Sequence, residues 1–278
     1  MREVMYDHSS FLIAGILFVS MVLAIEVGYR IGRRTQAGAS EPSKAQINAV
    51  QASLLGILAL LLGFTFSLSL QRYDSRSKAV ADEANAIGTA YLRTQLLPVS
   101  VCSKVQQLFR EYLDLRIQAG HITLANQAER EKILVKANQT LDSVWRYAAQ
   151  AAKEDPSPVT SGLFIQSLNA LIDAYGKRDA ELERHVPEVV LFLLYFAFLM
   201  TGIIVGYASG VAGYRAPLVS YIMVALIVLL VFIIIDLDRP RRGLIEVSQK
   251  SLVDLQVAIG ARQSTEAQHS VSEPFKAE

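Results

Sequence analysis

A single cysteine, Cys102, leaves this 278-residue chain without any internal disulfide framework, and the thiol reads as a small buried apolar residue. Histidine is scarce too: His8, His121, His185 and His269 lie far apart, and their spacing forms no metal or catalytic cluster. There is no glycine-rich phosphate loop, no His-Glu-x-x-His, no nucleophile elbow and no Cys-x-x-Cys pair. An enzyme is therefore not expected, and neither a cofactor nor a metal is called for. Nor is there an excess of one charge: 27 Lys and Arg stand against 26 Asp and Glu, a net charge of +1. Basic residues do not interleave with aromatics along one face, so nucleic acid is excluded as a partner. No alternating strand pattern and no repeat of fixed period is present.

What the chain does have is apolar length. It is 52% hydrophobic and 19% charged, with mean hydropathy +0.31. Four runs, residues 11–29, 51–70, 187–208 and 217–237, reach the roughly 20 helical residues that cross a bilayer. The first is not a signal peptide, because Arg30, Arg33 and Arg34 separate it from the cleavage-like Ala37-Gly38-Ala39 in a stop-transfer arrangement. The chain thus divides into 1–70, with the first two spans and their loop; an insert at 71–186; two further spans in 187–237; and a tail at 238–278. Four crossings put both termini on the side of the insert. That side carries Arg2, Arg72, Arg76, Lys78, Lys177, Arg178, Arg184, Arg239, Arg241 and Arg242 near helix ends, against Arg30, Arg33, Arg34, Lys44 and Arg215 opposite. The positive-inside rule makes the richer side cytoplasmic.

The insert is expected to be entirely helical. One helix runs from about residue 51 to 97, stopping before Pro98, with Val80, Ala84, Ile87 and Tyr91 as its apolar face beyond the bilayer. Val101, Val105, Leu108, Tyr112 and Leu115 mark a second helix ending near Gly120. Leu134, Ala137, Leu141, Val144 and Ala148 mark a third. Asp155-Pro156-Ser157-Pro158 breaks the chain, with Ser157 placed to cap and Pro158 suited to the first turn of a fourth helix carrying Phe164, Leu168, Leu171 and Tyr175. Residues 244–259 form one more amphipathic helix, and 263–278 a disordered tail. The fold class is all-α: a four-span membrane bundle continuous with a cytoplasmic helical bundle.

Within the second span, Ala52, Gly56, Ala59, Gly63 and Ser67 make a narrow stripe of small residues. Such a stripe lets helix backbones approach closely, either inside one protomer or around a ring of subunits. Gly202, Gly206, Gly210 and Gly213 form a second stripe that is compatible with both. Thr65 and Ser69 are polar groups at depth beside Phe64 and Phe66; they either bond back to the preceding turn or solvate an ion in a pore. Glu26 is a carboxylate inside a span, but Arg30 four residues later makes an interfacial ion pair the better reading. Asp236, Asp238 and Arg239 crowd the end of the last span, where their side chains either snorkel to water or pair with Arg72 and Arg76.

The stretches LLGFTFSLSLQRYDSR, ADEANAIGTAYLRTQLLP and DLDRPRRGLIEVS resemble a family of bacterial membrane proteins described as bestrophin-like. Similarity to the bestrophin anion channels themselves centres on Gly63-Phe64 followed by Arg72-Tyr73. That resemblance implies an inner-membrane homo-oligomer, a pentamer by analogy, with four spans and both termini cytoplasmic. It also implies a narrow pore neck at Gly56, Leu60 and Phe64, passing small anions. Glycine at 56 departs from the family pattern and supplies no apolar ring; no acidic run follows Asp238, so calcium gating is not expected. The alternative is a non-conducting scaffold or sensor whose helical bundle recruits a protein partner.

Overall fold

The computed structural model describes residues 9–38, 40–122, 126–215, 218–239 and 244–272. Arg2, His8, Pro217, Arg241 and Arg242 lie outside them, as does the end of the tail at 273–278. Among the described residues eight α-helices follow one another: α1 (Ser10–Thr35), α2 (Glu41–Arg93), α3 (Val99–His121), α4 (Gln127–Glu154), α5 (Ser161–Glu183), α6 (Glu188–Val211), α7 (Leu218–Asp238) and α8 (Lys250–Ser272). No strand occurs among the described residues. Four of the helices, α1, α2, α6 and α7, contain stretches long and apolar enough to cross a membrane. The chain forms two compact units, Met1–Asp74 with Arg184–Glu246, and Ser75–Glu183 with Val247–Glu278.

In the first unit α1 packs along α6 and against α7. Ser9 caps α1, its hydroxyl accepting from the Leu12 amide at 3.2 Å. Met21 and Ile25 of α1, Leu58 and Leu62 of α2, Phe198 of α6 and Val224 of α7 share one core. Close approach of α1 and α6 requires glycine on both helices: a Cβ on Gly28 would fall on the carbonyl oxygen of Ile203, and one on Gly206 on that of Ile25. Gly32 and Gly210 repeat the pattern a turn later. The stripe on α6 is thus spent inside the protomer. Gly213, with φ +84°, lies beyond it in a turn.

The second unit packs α3 on α4, α4 on α5 and α8 on α3. The apolar faces read from sequence face inward: Val80, Ala84, Ile87 and Tyr91 of α2 are buried, as are Val105, Tyr112, Val144 and Leu168. Phe109 links them, edge-on to Tyr91 at 6.5 Å and to Phe164 at 6.2 Å between ring centroids.

Four boundaries differ from expectation. The second-span helix begins at Glu41, about ten residues before the apolar run, because nothing between Pro42 and Gln51 breaks a helix and proline is tolerated in a first turn. It is one uninterrupted helix of 53 residues, about 80 Å long. Pro158 lies in a turn rather than in α5, which starts at Ser161; the Ser157 hydroxyl accepts from the Val159 amide at 3.3 Å within that turn. The last helix starts at Lys250 instead of 244, since the Ile245 amide is held by Asp236 and residues 246–249, without regular structure, lead into α8. Finally, α8 continues to Ser272, through most of the stretch expected to be disordered.

Candidate functional site

The exposed side of α2 in the first unit carries the sequence-derived candidates. Positions 56, 60 and 64 are four residues apart and so share one face of a helix. In the protomer that face is open: Leu60 is 59% exposed and Phe64 62%. Apart from the adjoining backbone of α2 itself, no atom among the described residues lies within 4 Å of a Cβ placed on Gly56 or Gly63. Ala52, Ala59 and Ser67 are exposed as well, so the small stripe and the Leu60–Phe64 positions form one continuous strip. The close approach of helices within the protomer is made by α1 and α6, while this stripe is exposed.

Thr65 and Ser69 stand on the opposite side of the helix, in line with the core residues Leu58 and Leu62, and both are buried. The Thr65 hydroxyl donates back to the Leu61 carbonyl at 2.8 Å, the local bond that a helical threonine ordinarily makes. The Ser69 hydroxyl is buried without a hydrogen-bond partner among the described residues. The polar groups that share the open strip are instead Ser53, Ser67 and Gln71, with Asp74 at its end.

The open strip on α2 differs in chemistry from the other exposed membrane faces. On α1, Phe11, Ile16, Val19 and Leu23 are exposed, on α6 Val189, Phe192 and Phe196, and on α7 Leu218, Ile222 and Leu226. These are large apolar side chains suited to hydrocarbon. The α2 strip alternates such residues with glycine, serine and glutamine.

Below the strip, Arg72 is fixed by Asp238, Nη1 to Oδ1 at 3.2 Å. The other oxygen of Asp238 accepts from the Val186 amide at 2.9 Å and lies 4.0 Å from His185 Nδ1. Asp236 accepts from the Ile245 amide at 2.9 Å. Of the pairings expected at the end of the last span, Arg72 with Asp238 is made; Arg76 donates to the Glu181 carbonyl at 3.1 Å. Glu26 is paired with Arg30 at 2.9 Å, the interfacial ion pair its spacing indicates.

A charged cluster in the second unit escaped sequence reasoning. Glu83 of α2, fully buried, accepts from Arg116 Nε at 2.7 Å and from Arg178 Nη1, while the Tyr112 hydroxyl donates to it at 3.4 Å. Burial alone would push the Glu83 carboxyl up, but the two guanidiniums outweigh it and hold the group below its ordinary 4.5. Arg116 also lies 4.6 Å over the Tyr175 ring. The signal available in sequence was a glutamate among Val80, Ala84 and Ile87 on an apolar face, and an arginine one turn after Tyr112.

No curated protein matches the chain. The family model of the bestrophin-like domain matches residues 17–252. Solved structures of single-residue variants of a bacterial bestrophin homologue from Klebsiella pneumoniae are similar: one has a TM-score of 0.64 at 17% identity, with 87% of this chain and 98% of that chain covered. A second has a TM-score of 0.64 at 17% identity over 90% and 99%. At that identity the likeness establishes the fold, while the family match spans most of the sequence. This chain belongs to the bestrophin-like family.

Proposed function

We propose that the protein is one subunit of an oligomeric membrane ion channel, with α2 of each subunit lining a shared pore through which ions pass passively. The observation that carries this reading is the open strip of α2. Leu60 and Phe64 project from it, Gly56 and Gly63 leave space beside them, and Ser53, Ser67 and Gln71 extend it in both directions. A single copy cannot enclose a pore, so a ring of subunits is required, a pentamer if the assembly follows the bestrophins. In such a ring Leu60 and Phe64 form an apolar neck that controls permeation by dewetting. Gly56 leaves that neck short, and the hydroxyls of Ser53 and Ser67 flank it. Thr65 and Ser69, buried behind the neck, support the helix rather than touch the ion. The positive-inside distribution orients the helical unit and both termini to the cytoplasm of a bacterial inner membrane.

The resemblance favours small anions. One observation favours the second reading, a non-conducting scaffold that recruits a protein partner: residues 53–71 carry no charged side chain to attract ions. Flux from liposomes and planar-bilayer recordings of the purified protein separate the two. Leu60→Ala with Phe64→Ala is expected to raise conductance about tenfold, equivalent to about 1.4 kcal/mol off a permeation barrier. Reversal potentials in a potassium chloride gradient then report whether anions or cations carry the current. Silence of both the wild type and the double variant, in a protein shown to be oligomeric, would remove the channel reading and leave the scaffold.

A further inference from the structure

The Glu83 cluster holds more positive charge than its carboxylates balance. α3 and α4 pack together and are joined by a short connection, so they run antiparallel, which places Arg116 near the end of α3 beside Arg130 at the start of α4. Arg178 approaches from α5. Three guanidiniums therefore share one end of the unit with two carboxylates, Glu83 and Asp179.

The Glu83 carboxylate is already used. Glu83 takes bonds from Arg116, Arg178 and Tyr112. Asp179 attracts Arg130 and lies beside Tyr175. The Arg178 Nη2 donates to Gln249 at 2.7 Å. Two N–H groups remain: Arg178 Nε and Arg130 Nε are both buried and meet no acceptor among the described residues. Arg178 is only 4% exposed. Arg178 meets the Glu83 carboxylate through Nη1, so it is the Nε donor that is left over, and a buried donor without an acceptor is costly because its desolvation is not repaid. Burial, and the neighbouring Arg116 and Arg178 charges, weaken the hold of Arg130 on its proton, against the attraction of Asp179.

We infer that this end of the helical unit binds a small oxyanion, phosphate or a carboxylate, between Arg130 and Arg178. The planar guanidinium offers parallel N–H donors that match two oxygens of such an anion, a geometry a chloride ion does not exploit. The inference is independent of conduction, since it concerns the second unit alone.

The test uses the full-length protein in detergent, with thermal unfolding followed in chloride buffer and after replacement by about 10 mM phosphate or succinate at equal ionic strength. The wild-type midpoint is expected to rise by about 5 °C with at least one of them, as a ligand held by the folded state alone requires. Arg130→Gln removes a side chain whose Nε meets no acceptor among the described residues. It is expected to keep its chloride midpoint at or above that of the wild type and to lose the rise. Equilibrium dialysis of the wild type with labelled phosphate and succinate provides a second readout, with about one anion bound per chain and the binding lost on Arg130→Lys. A wild type that neither binds nor responds to either anion overturns the inference. So does an Arg130→Gln protein that responds as the wild type does.

Discussion

Glu83→Gln is expected to lower the unfolding midpoint of the protein by about 10 °C. The carboxylate is fully buried and holds two arginines that are themselves 2% and 4% exposed. Removing its charge leaves both guanidiniums in the interior with a neutral amide that can offer a single acceptor. Breaking a buried ion pair from one side costs roughly 3–5 kcal/mol, because the remaining charge stays desolvated. At about 2–4 °C per kcal/mol for a chain of this size, the expected drop follows. Asp82→Asn, one residue away, is the control. Its partner Lys177 is 2.9 Å away, but the side chains are 36% and 54% exposed, so screening holds its loss to about 0–1 kcal/mol.

The same carboxyl gives a pH dependence of fixed sign. Folded Glu83 ionises below its ordinary value of 4.5. A depressed carboxyl adds stability that is fully present above the unfolded value and lost as the pH falls through the folded one. The midpoint of the wild type should therefore fall in acid, while that of Glu83→Gln changes less over the same interval. The gap between them narrows below about pH 4.5 and stays constant above about pH 6. Unfolding scans in matched detergent from about pH 6 down to below about pH 4.5 read the difference directly.

How much of this was legible in sequence depends on whether a feature is local. The apolar faces of α2, α3 and α4 beyond the membrane were readable because helical periodicity places Val80, Ala84 and Ile87, or Val101, Val105 and Leu108, on one side regardless of what covers them. The Glu83 cluster was not, because its arginines lie 33 and 95 residues away and come from two other helices. The sides of the second span were equally hidden. Residues 54–62 are almost uniformly leucine, isoleucine and alanine, so hydropathy cannot tell that Leu58 and Leu62 enter a core while Leu60 does not. The start of α2 at Glu41 is hidden for a related reason: residues 41–50 are helical without forming an apolar run.

Two sets of glycines that look alike in sequence are expected to respond with opposite sign. Gly206→Ala should destabilise the protomer by about 1–3 kcal/mol or more, since the new methyl lands on the Ile25 carbonyl and the only relief is to move α1 away from α6. That separation also breaks the reciprocal fit of Gly28 against Ile203. In a membrane no hydrophobic drive pulls the helices back together, so the loss of van der Waals contact is not offset. Gly206→Leu should yield little folded protein. Gly63→Ala meets open space in the protomer and exchanges a poor helix former for the best one, a change that favours the helix by about 1 kcal/mol. Folding of the chain should be unharmed or improved. The effect of Gly63→Ala should appear instead in the mass of the assembly or in its conductance, where the open strip meets its neighbours. Native mass measurement beside thermal unfolding distinguishes the two. If Gly63→Ala lowers the protomer's own stability as Gly206→Ala does, the strip is packed within the chain, and the pore lining must be sought on another helix.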